Sequence, residues 1–247
     1  MDELTARLLS PPRLEDIASA LFIQPHPDDN EIGAGGVIAS LTGRGAKVWC
    51  LTVTDDRAVC PASETRGGLT LRQREALAAQ EALGAEHAGF LGFCDKTDAR
   101  AEEIAAKIVP VIRRLRPAAV FSVDPRLGDE CHRDHIKTGW AVRYAVLDAA
   151  WEGFQPGTPP WETPVLGQYF TERPNVVADI TPHMEKKLEA VRCHASQCSP
   201  ELELLIERQA AYFGAQNGGG YGEALRLLSF LHLHCFNLPV GLGGRIK

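Results

Sequence analysis

The sequence predicts an α/β fold with a mostly parallel sheet flanked by helices, and three observations carry that expectation. Short apolar, β-branched runs alternate with helix-forming segments through the first 150 residues, as parallel crossover units require. Glycines and prolines fall between these runs rather than inside most of them. A length of 247 residues at 45% hydrophobic composition suits one domain with a sizeable core, so residues 1–247 are expected to form a single domain.

The elements follow in order. Ala20, Leu21, Phe22, Ile23 and Gln24 make a buried strand closed by Pro25. Gly33, Gly35 and Gly36 read as a turn ahead of the helix VIASLTGRG, which ends at Gly43 and Gly45; the same glycines also suit a helix packed close to a sheet. KVWCLTVTD is a second strand, and after a polar stretch through Gly68, TLRQREALAAQEALG is a helix that closes at Gly84. AGFLGF is the next strand. Ile104, Ile108, Val111, Ile112 and Leu115 form a helical stripe, with a bend expected at Pro110.

AAVFSVDP supplies another buried strand and HIKTGWAVRYAVLDAA the helix beyond it. VLGQYFTE and NVVADIT are later strands, and Thr181 is placed to cap a helix that starts at Pro182 and runs through MEKKLEAVRCHAS. ELELLIERQAAYFG is a helix ending near Gly214, and Gly218 to Gly220 form a turn before EALRLLSFLHL. The proline-rich segment 154–164 reads as a loop that can border a pocket. No solenoid-length repeat is present.

Composition narrows the function classes. The net charge of -6, from 32 acidic and 26 basic residues without a basic block, argues against nucleic acid as a partner. The opening MDELTARLLSPPRLEDIASALFIQ lacks the pattern of a secretory signal, and no apolar stretch approaches the roughly 18 to 20 residues of a membrane span. Seven cysteines at irregular spacing, Cys50, Cys60, Cys94, Cys131, Cys193, Cys198 and Cys235, read as free thiols in a reducing, cytoplasmic compartment.

Two short motifs carry the chemistry. His26-Pro27-Asp28-Asp29 follows the first strand, and His132-Arg133-Asp134-His135 follows the VFSVDP strand, so both stand where open α/β sheets place ligands. His26, Asp29 and His135 can supply two imidazoles and a carboxylate to zinc, leaving a position for water. Asp28 then remains as a water-activating base, and His132 as a proton donor or stabiliser of charge on a carbonyl oxygen. Spacing alone leaves a plainer reading open, in which these groups are caps, turns or surface polar residues. Iron or cobalt also fits mixed nitrogen and oxygen ligation. A dinucleotide site is the weaker reading, because residues 33–36 lack a full GxGxxG directly after the strand.

At these residues the chain resembles the PIG-L/LmbE-like family of zinc-dependent N-deacetylases. The resemblance rests on Pro25 to Asp29, the glycines that follow, Arg72 in LRQRE, Asp95 in FLGFCD, His132 to His135, and KLEAVRCHASQ from Lys187 to Gln197. It implies a Rossmann-like fold, zinc held by His26, Asp29 and His135, Asp28 as general base, and His132 as the charge-stabilising histidine. It further implies Arg72 as a substrate contact and Asp95 as the orienting partner of His132. The spacing within the second motif leaves Asp134 available to orient a ring or stabilise the turn.

Plain alternatives stand beside these: Arg72 as a solvated helix residue, Asp95 as a turn residue, and His194, Ser196 and Gln197 as support for a helix end. The chain departs from the family at Asn30, where many relatives carry an acid; here the acid is Glu31. Some relatives form homo-oligomers in which a late histidine reaches a neighbouring pocket, which makes His232 and His234 candidate trans contacts. The implied substrate is a small amino sugar of the N-acetylglucosamine type. The rival readings are a zinc amidase for another N-acyl metabolite and a noncatalytic carbohydrate-binding protein.

Overall fold

The computed structural model describes residues 2–55, 65–236 and 238. A short helix α1 (Glu3–Leu9) precedes strand β1 (Ser19–Gln24), helix α2 (Asp29–Gly43), β2 (Lys47–Thr54), α3 (Leu71–Leu83) and β3 (Glu86–Phe93). Then come α4 (Ala101–Leu115), β4 (Ala119–Val123), α5 (Arg133–Asp148), β5 (Val165–Tyr169) and β6 (Val176–Asp179). The chain closes with α6 (Met184–Arg192), α7 (Pro200–Gln216) and β7 (Gly222–Ser229).

The seven strands lie in the order β3-β2-β1-β4-β5-β7-β6. The first five are parallel, and β7 runs antiparallel to both β5 and β6. Ala20 through Ile23 are wholly buried, as expected of a central parallel strand covered on both faces. Phe22, Ile38, Leu83, Val191 and Ile206 join one core layer, under α2, α3, α6 and α7. Leu21, Ile108, Ile112, Val142 and Leu166 join the other, under α4 and α5.

The first expectation to change concerns the glycines. α2 begins at Asp29, so Gly33, Gly35 and Gly36 lie within a helix rather than in a turn, and the helix kinks where Ala34 leaves helical geometry at φ -147°, ψ 17°. Close packing is the reason for glycine here. A Cβ at Gly33 would stand 2.3 Å from the Tyr169 ring, and one at Gly36 would stand 2.6 Å from Ile180.

Thr181 does not cap a helix starting at Pro182. Residues Thr181–His183 form a 3-10 turn and α6 starts at Met184, while the Thr181 hydroxyl accepts from the Tyr221 amide at 2.9 Å. α7 runs two residues past Gly214, to Gln216. α4 runs continuously through Pro110. The 154–164 segment packs at the start of β4, away from the strand ends that carry the two motifs: Arg113 donates to the carbonyls of Gln155 and Thr158, and the Trp161 indole donates to Pro117. Cys50, Cys94, Cys131, Cys193, Cys198 and Cys235 are free, and Cys60 falls outside the described residues.

Candidate active site

The strand order reverses direction at β1 and β4, whose outgoing helices α2 and α5 lie on opposite faces of the sheet. That divergence opens a crevice at the carboxyl ends of the two strands. Both histidine motifs meet there. His26 to Asp28 make the turn from β1 into α2, while His132 precedes α5 and His135 lies in its first turn.

Asp29 is the hub. Its Oδ2 lies 2.9 Å from the His26 amide and 3.3 Å from His26 Nδ1, and its Oδ1 lies 3.3 Å from His135 Nε2. Burial pushes the Asp29 carboxyl up, but the bonds from His135 and His26 outweigh it and hold the group below the usual carboxylate range. Burial also lowers His135, yet the contact with Asp29 leaves it raised.

Each of these imidazoles has a carboxylate behind it. Asp134 Oδ2 stands 3.3 Å from His26 Nε2 and accepts from the Lys96 amide at 2.7 Å. Glu130 Oε2 stands 3.0 Å from His135 Nδ1, while its other oxygen accepts from the His132 amide at 2.7 Å. A carboxylate on the far nitrogen fixes the tautomer and heading of a metal-binding histidine. Donor atoms of His26, His132 and His135 all lie within 4.8 Å of one another, as do those of His26, Asp95 and Asp134. Two imidazoles bridged by one carboxylate, each backed by another acid, suit a divalent cation of the zinc type.

Asp28 points elsewhere. Its backbone holds φ 125°, which an L-residue rarely adopts, and its Oδ2 accepts from Arg72 at 2.8 Å. Burial pushes this carboxyl up to about 7; Asp29 adds to the rise and Arg72 opposes it. Arg72 stands in the first turn of α3, fixed by the reciprocal cap between Thr70 and Gln73. His132 is 41% exposed, and its Nδ1 accepts from the Asp134 amide at 3.3 Å, leaving Nε2 to carry the proton of the neutral ring. Burial, then His26 and His135, hold its proton affinity below the usual histidine value.

The structure thus brings together His26, Asp28, Asp29, His132, Asp134 and His135. Arg72 is buried against Asp28 and the Pro27 carbonyl and braces the acid. Asp95 groups with His26 and Asp134, and the group that engages His132 Nδ1 is the Asp134 amide. His232 is buried with both ring nitrogens engaged inside the chain, at Ser229 and at the Leu8 carbonyl. His234 is exposed.

Further residues contribute to the site, and Glu130 is the one among them that the sequence reading missed. Glu130 sits in the motif loop, and its nearness to His135 was its only signal. Glu31 and His194 are both buried, 3.5 Å apart, and act on Asp28 in opposite senses, His194 lowering and Glu31 raising its proton affinity. Asn30 accepts from the Tyr169 hydroxyl at 2.9 Å. Ser196 is a support residue, holding Glu75 through amide and hydroxyl at 2.9 and 2.6 Å. Beside Asp29 and His135 opens a cavity of about 390 Å³, walled by Phe170, Ile206 and Phe213.

The chain matches the family model described as PIG-L, GlcNAc-PI de-N-acetylase, over residues 21–146, which include both motifs. It is 36% identical to a diacetylchitobiose deacetylase of Thermococcus kodakarensis, covering 89% of this chain and 86% of that one. Its fold matches the N,N'-diacetylchitobiose deacetylase of Pyrococcus horikoshii with a TM-score of 0.80 and 29% identity, over 91% of this chain and 88% of the other. GalB, the 4-carboxy-2-hydroxymuconate hydratase of Pseudomonas putida, matches with a TM-score of 0.72 and 26% identity, over 85% and 95% of the two chains.

Fold and motifs together define an α/β enzyme of the metal-dependent kind. The chain belongs to the PIG-L family and is an N-deacetylase.

Proposed function

We propose that this chain hydrolyses the N-acetyl amide of an N-acetylglucosamine-containing sugar or conjugate, with zinc held by His26, Asp29 and His135. The observation that carries the reading is the Asp29 carboxylate placed between His26 and His135, at 3.3 Å from each ring, while Asp28 turns away to Arg72. When bound, zinc supplies Lewis acidity to a water molecule and to the amide carbonyl.

The remaining steps belong to the chain. Asp28 takes a proton from the attacking water as its oxygen bonds to the carbonyl carbon. His132 donates from Nε2 to the oxygen that gains negative charge, and Asp28 returns its proton to the nitrogen as the C–N bond breaks. The products are acetate and a free amine. Amino-sugar specificity is supported by the relative named as a diacetylchitobiose deacetylase and by the family description, GlcNAc-PI de-N-acetylase.

Residues 1–247 act as one domain in this reading, in the cytoplasm, where the six free thiols of the described residues stay reduced. No helix among the described residues is long and apolar enough to cross a membrane. A homo-oligomer belongs to the same reading, supported by Leu204, Leu205 and Tyr212, which α7 leaves exposed.

Purification without chelators, metal analysis, and an acetate-release assay on N-acetylglucosamine, its short oligomers and its conjugates test the proposal. One zinc per chain and acetate release on at least one of these sugars are expected. The hydratase chemistry of GalB offers the contrast, because hydration releases no acetate. Asp28→Asn at matched zinc occupancy should lose turnover, and an unchanged rate would remove Asp28 as the base.

A further inference from the structure

A second cavity, of about 360 Å³, opens on the other face of the sheet and is lined by Arg126, Arg143, Arg173, Arg226, Asp124 and Gln168. Strand alternation explains its place. Gln168 and Arg226 are register partners on β5 and β7, and they share the face of Leu166 and Leu228, beneath the α4 and α5 layer. The cavity beside Asp29 is walled instead by Ile206 and Phe213 of α7, on the opposite side.

The arginines are unevenly matched. The Asp124 carboxylate is already engaged, accepting from the Arg126 amide at 3.0 Å and from the Thr171 hydroxyl at 2.6 Å. Glu172 pairs with Arg173 at 3.6 Å on the exposed rim. Arg143 donates to Gln168 at 3.1 Å and Arg226 to the Arg173 carbonyl at 3.1 Å, both uncharged acceptors. Arg126 and Arg143 lie over the Trp140 ring, at 5.4 and 5.7 Å from its centroid.

Four guanidinium groups therefore converge with most of their donors unspent among the described residues. Burial pulls Arg143 and Arg226 below the usual guanidinium range, and neighbouring arginines add to this against the opposing Asp124. Guanidinium forks match oxyanions geometrically, and an anion held here would relieve the repulsion among them.

We propose that this cavity is an anion site, separate from the candidate catalytic crevice, that takes a compact phosphoryl group. Asp124 immediately follows β4 and begins the segment that runs to His132, so the site is continuous in sequence with a candidate catalytic residue. A free phosphate and the phosphate of a sugar monoester offer the same oxyanion.

Isothermal titration of the full chain with inorganic phosphate and with glucose 6-phosphate, at constant ionic strength set by chloride, separates these two sources. Saturable binding at one site is expected, and the tighter ligand identifies the source. Arg126→Gln and Arg173→Gln alter exposed side chains and should leave the thermal midpoint without phosphate unchanged, while each weakens Kd about tenfold. Heat indistinguishable from that of added chloride, or unchanged Kd in both variants, would overturn the proposal. Loss of a sedimenting oligomer in the variants without any phosphate binding would also overturn it, because the arginines would then serve an acidic surface of a second copy.

Discussion

The Lys187 ammonium lies 2.6 Å from the Glu223 carboxylate, both side chains are buried, and together they mend the break in α2. Glu223 accepts from the amides of Gly36 and Val37 at 2.9 and 2.8 Å, while Lys187 donates to the Ile32 carbonyl at 2.7 Å. Those are the groups that a kink at Ala34 strips of helical partners. Glu223→Ala would leave a buried cation and two unpaired amides, so it should destabilise the fold by about 3–5 kcal/mol. Lys187→Met keeps the two amide bonds and should cost less. Urea unfolding of both variants checks this, and a larger loss for Lys187→Met would contradict it.

Glu130 offers the clearest test of the layer behind the proposed metal ligands. It bonds the His135 ring at 3.0 Å and the His132 amide at 2.7 Å. Glu130→Ala should lower zinc affinity about 10- to 100-fold, the usual effect of removing a carboxylate behind a ligating histidine. Competition with a fluorescent chelator measures it. Affinity equal to wild type would show that His135 keeps its heading without Glu130.

Period and punctuation made most elements legible, because a buried parallel strand such as Ala20 to Ile23 and a striped helix such as α4 carry their environment in their pattern. The glycines of α2 were harder. Gly33 and Gly36 look like turn residues until Tyr169 and Ile180 arrive from distant parts of the chain. The motif histidines and Asp134 were visible because strand ends collect ligands, but the pairings made by Arg72, Glu130 and Glu223 were not. Nothing local tells Arg72 that its partner is Asp28, or tells Glu223 that it will cap a helix nearly two hundred residues earlier. Such pairings follow from tertiary contact alone.

Arg72 positions Asp28 across 2.8 Å, and both are largely buried. Arg72→Met removes the donor that holds this carboxylate and that opposes its protonation, so kcat should fall while bound zinc stays near one per chain. Arg72→Lys restores a charge without the guanidinium fork and should recover part of the rate. Acetate release and metal analysis on the same preparations decide the matter. Equal rates for wild type and Arg72→Met would leave Arg72 as a packing residue.

His132 and His135 share a four-residue motif, yet the geometry divides their work. His135 faces Asp29 through Nε2 and is braced at Nδ1, whereas His132 is 41% exposed and its Nδ1 is occupied by the Asp134 amide, which leaves Nε2 to carry the ring proton. A donor aimed at a developing oxyanion acts chiefly in the transition state, and losing one costs about a hundred- to a thousand-fold in rate. His132→Ala should therefore keep near-normal zinc content and substrate affinity while single turnover falls by that factor. His135→Ala should lose zinc first. The competing arrangement is three imidazoles on the metal, since donor nitrogens of His26, His132 and His135 lie within 4.8 Å of one another. Metal content, substrate dissociation constant and single-turnover rate on one folded His132→Ala preparation separate the two: lost zinc would make His132 a ligand, and a normal single-turnover rate would end its catalytic role.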